Sequence, residues 1–472
     1  MNLNINAPIE IPDSPNFNEV PKVAEYCKEI GVDSILFNDE KDLIKLTPSQ
    51  FLFICGVNGK LEKNFNITLN LIKTYIQNIP KENIDLLLNL ENALYIHYIK
   101  NFDNQSSYNQ FFDIFVQKYK SKKQIKTSIA DNGILFFVHV PRFLAHTNPL
   151  FKILSENSDK NMKITIASLS YNHDFKLKCD ELGVNFINLN HNCENNNPIS
   201  LSAYLRLNEI SKNYKHFIWQ CLPVNLSFLS QLNSNISWWS LKFHPNIPNL
   251  KSYIGTFTDK DPIVKINDNN WNNYFSGFSL KNINLHQAHW NIRKKYFGSF
   301  CREELIDKRE FWEIISKILK DNDNIIYCYT GRKSIHEKWT KRLSIDEKKI
   351  KHLGWLSDPE KFISQMAFLI EGRELGHGML AYEAMLAKVP IIGIDCKDFY
   401  GAFKNRLIFD NKINLKKTLL PNLEIELLIQ VKKLLNDQEY NNKIGTELRT
   451  LIINSQTSDN FDKFFKILEK SS

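Results

Sequence analysis

The segment that most constrains the fold of this chain spans residues 370–395, I-E-G-R-E-L-G-H-G-M-L-A-Y-E-A-M-L-A-K-V-P-I-I-G-I-D. An apolar run at 367–370 leads into a turn holding Gly372, Gly376 and Gly378. A short helix is expected around Glu383, then a buried strand over 389–394. Strand, glycine turn, helix and strand in that order make one unit of a parallel sheet. Gly376 and Gly378 bracket His377 just ahead of the helix. Lacking Cβ atoms, they let backbone N–H groups at the helix N-terminus approach an anion closely. Glu383 follows five residues after Gly378, within reach of a sugar hydroxyl pair beside such an anion. The pattern suits a nucleotide-sugar pocket. The plain alternative is a glycine turn that merely joins two Rossmann-like elements.

A chain of 472 residues is long for one core, so two or three domains are expected. The net charge of +8 is spread along the chain without a polybasic tail. It permits weak attraction to phosphates, or peripheral contact with an anionic membrane surface, and gives no reason to expect a nucleic-acid partner. The eight cysteines include no C-x-x-C pair, which argues against a disulfide framework and against a zinc site. No apolar run approaches the ~20 residues that span a bilayer. The opening M-N-L-N-I-N-A-P-I-E-I-P has neither a basic n-region nor a continuous apolar h-region, so a cytoplasmic location is expected.

Residues 1–130 read as an all-helical N-terminal domain, with amphipathic helices expected over 67–79 and 86–98. No period of ~34 residues marks a helical repeat. The block carries no recognisable chemistry and fits a docking module or a stabilising appendage equally well. A polar break at 121–132 follows, and then the hydrophobic period changes. The continuous apolar run at 134–140 marks a central parallel strand buried on both faces. Further strands are expected at 162–167, 186–189, 217–219 and 236–241, giving a Rossmann-like domain over 131–290. A second one, over 291–472, takes strands ending at F-G-S-F (297–300), at 325–329 before T-G-R-K, and near H-L-G-W-L (352–356). C-terminal helices close the chain. The fold class is therefore α/β, with two Rossmann-like domains facing a cleft behind a helical block: the GT-B architecture.

Three blocks carry a family resemblance. F-G-S-F-C-R-E-E-L-I-D-K-R-E-F-W (297–312) resembles the segment that opens the C-terminal half of family 41 glycosyltransferases, the group of O-GlcNAc transferase and the bacterial cytoplasmic N-glycosyltransferases. G-H-G-M-L-A-Y-E-A-M-L-A-K-V-P (376–390) resembles that family's phosphate loop, acidic residue and following strand. W-W-S-L-K-F-H-P-N-I-P (238–248) is placed like the segment closing the N-terminal half, and makes Lys242 and His244 cleft candidates. Gly378 and Met379 stand where the family has paired threonines, and Glu383 stands where O-GlcNAc transferase has an Asp. The first block is about two residues shorter than the family's, so Arg302 or Lys308 takes the role of the pyrophosphate cation.

The resemblance implies a hexosyltransferase moving a hexose or N-acetylhexosamine from a UDP-sugar to a protein or glycan acceptor, with inversion and without a metal. A retaining GT-B transferase of surface polysaccharide synthesis and a UDP-GlcNAc 2-epimerase are the enzymatic alternatives. A catalytically silent GT-B-like binding protein is the alternative of another class. Cations and helix dipoles stabilise the leaving diphosphate in this architecture, which points to Arg302, Arg332 and Lys333, with Gly376, His377, Gly378 and Met379 around the phosphates and Glu383 on the ribose. R-F-L-A-H-T-N-P (142–149) resembles the G-H-x-N-P element after the first strand of many such transferases. His146 is thereby the first candidate base and His139 the second, each with a packing role as its alternative. Asp321-Asn322-Asp323 fits the D-x-D pattern of metal-dependent transferases, but it precedes the strand at 325–329 and so belongs at the wrong end of a sheet.

Overall fold

The computed structural model describes residues 11–37, 40–61, 65–99, 102, 105–120, 132–142, 147–155, 162–190, 199–241, 244–255, 261–274, 287–300, 306–307, 309–331, 333–354, 356, 359–371, 379–393, 421–455 and 460–470. The chain divides into two compact units. One comprises Met1–Thr147, Ile153–Phe275 and Phe461–Ser472, the other Asn148–Lys152 and Ser276–Asn460.

The first unit is built on strands β1 (Ile134–Val138), β2 (Ile164–Ser168), β3 (Asn185–Asn188), β4 (His216–Gln220), β5 (Ile236–Ser240), β6 (Ser252–Gly255), β7 (Ile263–Ile266) and β8 (Asn269–Asn273). Their order across the sheet is β3-β2-β1-β4-β5-β6-β8-β7. All neighbours run parallel except β7 and β8, an antiparallel hairpin turned by Asn267 at φ 53. β1 is I-L-F-F-V and buried at every position, as a strand with parallel neighbours on both sides and helices on both faces must be.

Helices Val20–Glu29, Pro48–Leu61, Phe65–Asn78, Ile84–His97 and Gln105–Tyr119 form the N-terminal block. Their apolar faces belong to the same hydrophobic core as one face of the sheet, where Tyr119 meets Phe228 and Phe137 meets Trp219. The last helix, Asn460–Lys470, also packs in this unit. Its Phe464 is fully buried among Phe136, Trp239 and Tyr274, and Glu469 pairs with Lys215 at 2.8 Å.

The second unit is a five-stranded parallel sheet of β9 (Tyr296–Ser299), β10 (Ile326–Tyr329), β11 (Ile350–His352), β12 (Phe368–Glu371) and β13 (Ile391–Gly393). Its order is β11-β10-β9-β12-β13. Phe297 on the middle of three adjacent strands contacts Tyr327 and Phe368 on either side, and Trp312 of helix Arg309–Lys320 lies edge-on to Tyr327. At the other side of the sheet, Gly445 in helix Gln438–Ser455 lies directly against the Lys388 carbonyl, leaving no room for a Cβ. Gly→Ala inside a helix ordinarily gains ~1 kcal/mol. Here Gly445→Ala is expected to cost about 2 kcal/mol, because the clash is with backbone and one element has to shift. Thermal unfolding decides, and an unchanged or higher melting temperature removes the close-packing account.

Candidate functional site

Both sheets carry the strand order 3-2-1-4-5 over their first five strands, counted within each unit. In such sheets the connections reverse direction between the first and fourth strands, and ligands bind outside the carboxyl ends at that point. The reversal falls between β9 and β12 in the second unit and between β1 and β4 in the first.

In the second unit the carboxyl ends of β9 and β12 are held together by Ser299, whose buried hydroxyl donates to the Ile370 carbonyl at 2.7 Å. On the β10 side of the same strand, Gly298 allows a close approach, since a Cβ there would sit 2.8 Å from the Cys328 carbonyl oxygen. The loops leaving these two strands hold Arg302 and Gly376, His377 and Gly378, all of which lie outside the described residues, as do Lys308 and Arg332. Helix Met379–Leu386 starts where the second loop ends, with Met379 as its first residue.

Glu383 lies in the second turn of this helix. One oxygen of its carboxylate is buried and accepts no hydrogen bond from the described residues. Burial, reinforced by the nearby Glu360, pushes the carboxyl up to about 7. An orphaned acceptor in a low-dielectric setting costs free energy until a donor reaches it. The helix is also gripped at its far end. Lys388 at φ 58 closes a Schellman cap, with Val389 N–H on the Ala384 carbonyl and Lys388 N–H on that of Met385. Arg449 donates to the Leu386 carbonyl and Gln287 to that of Lys388. The carboxylate therefore stands on a helix with little freedom to retreat.

Lys333 opens helix Lys333–Leu343 after β10, exposed and loosely paired with Glu337 at 3.8 Å. Sequence reading did not single out His352. Its Nε2 lies 2.6 Å from the Gly331 carbonyl and its ring 5.2 Å from that of Tyr329, so it ties the T-G-R-K turn to the end of β11. A histidine closing a short strand ahead of a glycine was the available signal.

In the first unit His139 follows β1 directly, half-buried, with Nε2 at 3.4 Å from Asn92 Oδ1. His146 and Lys242 lie outside the described residues. The stretch carrying His146 has its ends closed by Thr147, whose hydroxyl donates to the Arg142 carbonyl at 2.6 Å. His244 is buried against Trp271 at 4.5 Å, and burial pushes its imidazole down to about 3, so it is neutral at physiological pH. Its backbone N–H donates to Gln105 of the helical block.

Asp321-Asn322-Asp323 forms the turn between helix Arg309–Lys320 and β10, at the amino end of the strand as expected. Lys349 donates to the Asn322 carbonyl there. Among the described residues no group of three His, Cys, Asp or Glu is placed to hold a metal ion. No described helix is long and apolar enough to cross a membrane.

No protein-family model matches the chain, and no curated protein matches it by sequence. Solved structures do match by shape. An O-GlcNAc transferase mutant from Thermobaculum terrenum aligns with a TM-score of 0.52 at 11% identity, over 98% of this chain and 99% of that one. HepE of Anabaena, crystallised with UDP and glucose, aligns with a TM-score of 0.52 at 11% identity, over 72% and 99%. A glycosyltransferase from Rickettsia africae aligns with the same TM-score at 14% identity, over 72% and 99%. At these identities the likeness shows the fold: a helical N-terminal region and two Rossmann-like parallel sheets, the GT-B arrangement.

Proposed function

We propose that this chain is a glycosyltransferase, moving a hexose or N-acetylhexosamine from a UDP-sugar to a protein or glycan acceptor, with inversion and without a metal. The observation that carries the reading is Glu383, whose buried carboxylate oxygen has no donor among the described residues, on the helix that follows β12 at the strand reversal of the second sheet. A ribose supplies two adjacent O–H donors, which is what such a group lacks. The likeness to an O-GlcNAc transferase over 98% of the chain, helical block included, supports the family 41 resemblance.

In this reading the second unit holds the donor. Backbone N–H groups of Gly376–Gly378 and the cations Arg302, Arg332 and Lys333 take up the charge of the departing diphosphate. His139 or His146 on the first unit accepts the acceptor's proton as its oxygen or nitrogen attacks the anomeric carbon. The bond from that carbon to the diphosphate breaks, and UDP leaves.

Glu383→Ala is expected to weaken UDP binding by ~1.5–3 kcal/mol, the range for hydrogen bonds to a charged acceptor. Calorimetric titration with UDP measures it. Wild-type protein that gives no heat with UDP overturns the donor assignment, and unchanged affinity in the variant removes Glu383 from it.

A further inference from the structure

Midway along helix Ile84–His97 a carboxyl group enters the core that the helical block shares with the first sheet. Glu91 is fully buried there, on a helix whose Leu87, Leu88, Leu90 and Leu94 belong to that core. No lysine, arginine or histidine among the described residues pairs with it, and burial pushes the carboxyl up to about 8 from an ordinary 4.5. The titratable groups that face it are Tyr119 of helix Gln105–Tyr119 and Tyr204 of helix Leu201–Ser211, both pushed up by burial as well. Both rings pack on Phe228. In such surroundings an anion without a cation is costly.

The partner of Glu91 is Asn225. It ends the segment 221–225 after β4 and opens helix Leu226–Leu232 from a left-handed conformation, φ 62. Glu91 Oε1 accepts from the Asn225 N–H at 2.7 Å. Glu91 Oε2 lies 3.0 Å from the Asn225 side-chain amide, which has two orientations half a turn apart. In one, Nδ2 donates to the Tyr204 hydroxyl at 2.9 Å and Oδ1 faces Glu91. Two oxygens at that distance hold together only with a proton between them, so this orientation belongs to the protonated carboxyl. In the other, Nδ2 donates to Glu91 Oε2 at 3.0 Å and to the Leu88 carbonyl at 3.2 Å, while Oδ1 accepts from Tyr204 at 2.9 Å. That orientation belongs to the ionised carboxylate.

We propose that Glu91 is a proton-operated latch fixing the segment after β4 to the helical block. Protonated, it donates to the Asn225 amide oxygen and accepts from the Asn225 N–H, so the two segments are joined with no buried charge. As pH rises the proton leaves to bulk hydroxide, the amide turns, and an unpaired charge remains in an apolar core, which loosens both segments. The folded carboxyl holds its proton more tightly than the unfolded one, so the latch is strongest in acid and fully weakened above about pH 8. β4 borders the reversal of the first sheet, so the response reaches the edge where ligands bind in such sheets. The latch does not depend on the glycosyltransferase reading.

The test is hydrogen exchange read by mass spectrometry on the full chain from pH 5 to 9, corrected for the pH dependence of free amides. Wild type, Glu91→Gln and Glu91→Leu are compared. Glutamine can make both hydrogen bonds of the protonated carboxyl and cannot ionise, whereas leucine makes neither. In peptides covering Ile84–His97 and 221–232, the protection of Glu91→Gln relative to wild type is expected to rise about tenfold per pH unit from 5 to 8 and to level off by 9. Glu91→Leu is expected to be about tenfold less protected than Glu91→Gln over 221–232 at every pH, because the Asn225 N–H loses its acceptor. A ratio that stays flat with pH, a rise shared equally by β9 and β12, or a Glu91→Leu variant as protected as Glu91→Gln overturns the proposal. So does a Glu91→Gln variant that fails to fold, since it carries the neutral form of the latch.

Discussion

Replacing Glu383 by Gln is expected to stabilise the ligand-free protein at pH 8 by on the order of 3 kcal/mol while leaving it unchanged near pH 4. The sign follows from the direction of the shift. The folded carboxyl is held up at about 7, against an ordinary value of 4.5 in the unfolded chain. Between those values the folded state binds more protons, so stability falls as pH rises through the window and the full cost is present above it. Glutamine is neutral throughout and does not incur that cost. Denaturant titrations of both proteins from pH 4 to 8, followed by hydrogen exchange in β12 and helix Met379–Leu386, give the comparison. Parallel pH profiles for wild type and variant would show that the carboxylate is already solvated or paired. Together with weakened UDP binding in Glu383→Ala, a stabilising Glu383→Gln would mark a group kept at the expense of the fold, the usual sign of a binding role.

Phe464→Ala is expected to cost about 3–5 kcal/mol in the first unit, the range for removing a fully buried aromatic ring. Phe464 fills the space between Phe136, Trp239 and Tyr274, with ring centroids 4.9 to 6.1 Å away. It arrives from the end of the chain, so its loss also loosens the helix that carries Glu469 to Lys215 and His216. Indole fluorescence of Trp239 during denaturation should report the earlier transition, and protection in β9 and β12 should stay at the wild-type level. A cost below about 1 kcal/mol, or an equal loss in both units, would contradict this account of the last helix.

Much of the fold was legible because a strand buried on both faces leaves its own mark. I-L-F-F-V and A-F-L-I can be read as interior parallel strands without reference to anything else in the chain. The segment at 250–275 was not legible, and the reason is specific. β8 is N-N-W-N-N, with only Trp271 buried, so it has no apolar period to betray it. It is a strand because β6 and β7 pair with it on either side, Tyr253 and Val264 both opposite Trp271. The site divides in the same way. The glycine loop and Glu383 are local patterns and could be picked out by eye, whereas nothing near Glu383 in the chain says that one of its oxygens is buried without a donor among the described residues.

Order along the chain was enough to dictate two Rossmann-like halves and a helix after β12 with Glu383 upon it. Side-chain partnership was settled only on folding. Asn225 reaches Glu91 across 134 residues and His216 reaches Glu469 across 253, and no local spacing can encode pairs so far apart. A repeating pattern records which face of an element avoids water, since that depends on neighbouring residues alone. The groups a buried polar atom finds depend on which distant elements the closed core brings beside it. For that reason the helical block read equally as a docking module or a stabilising appendage, although Asn92 and Glu91 meet the segments that follow β1 and β4.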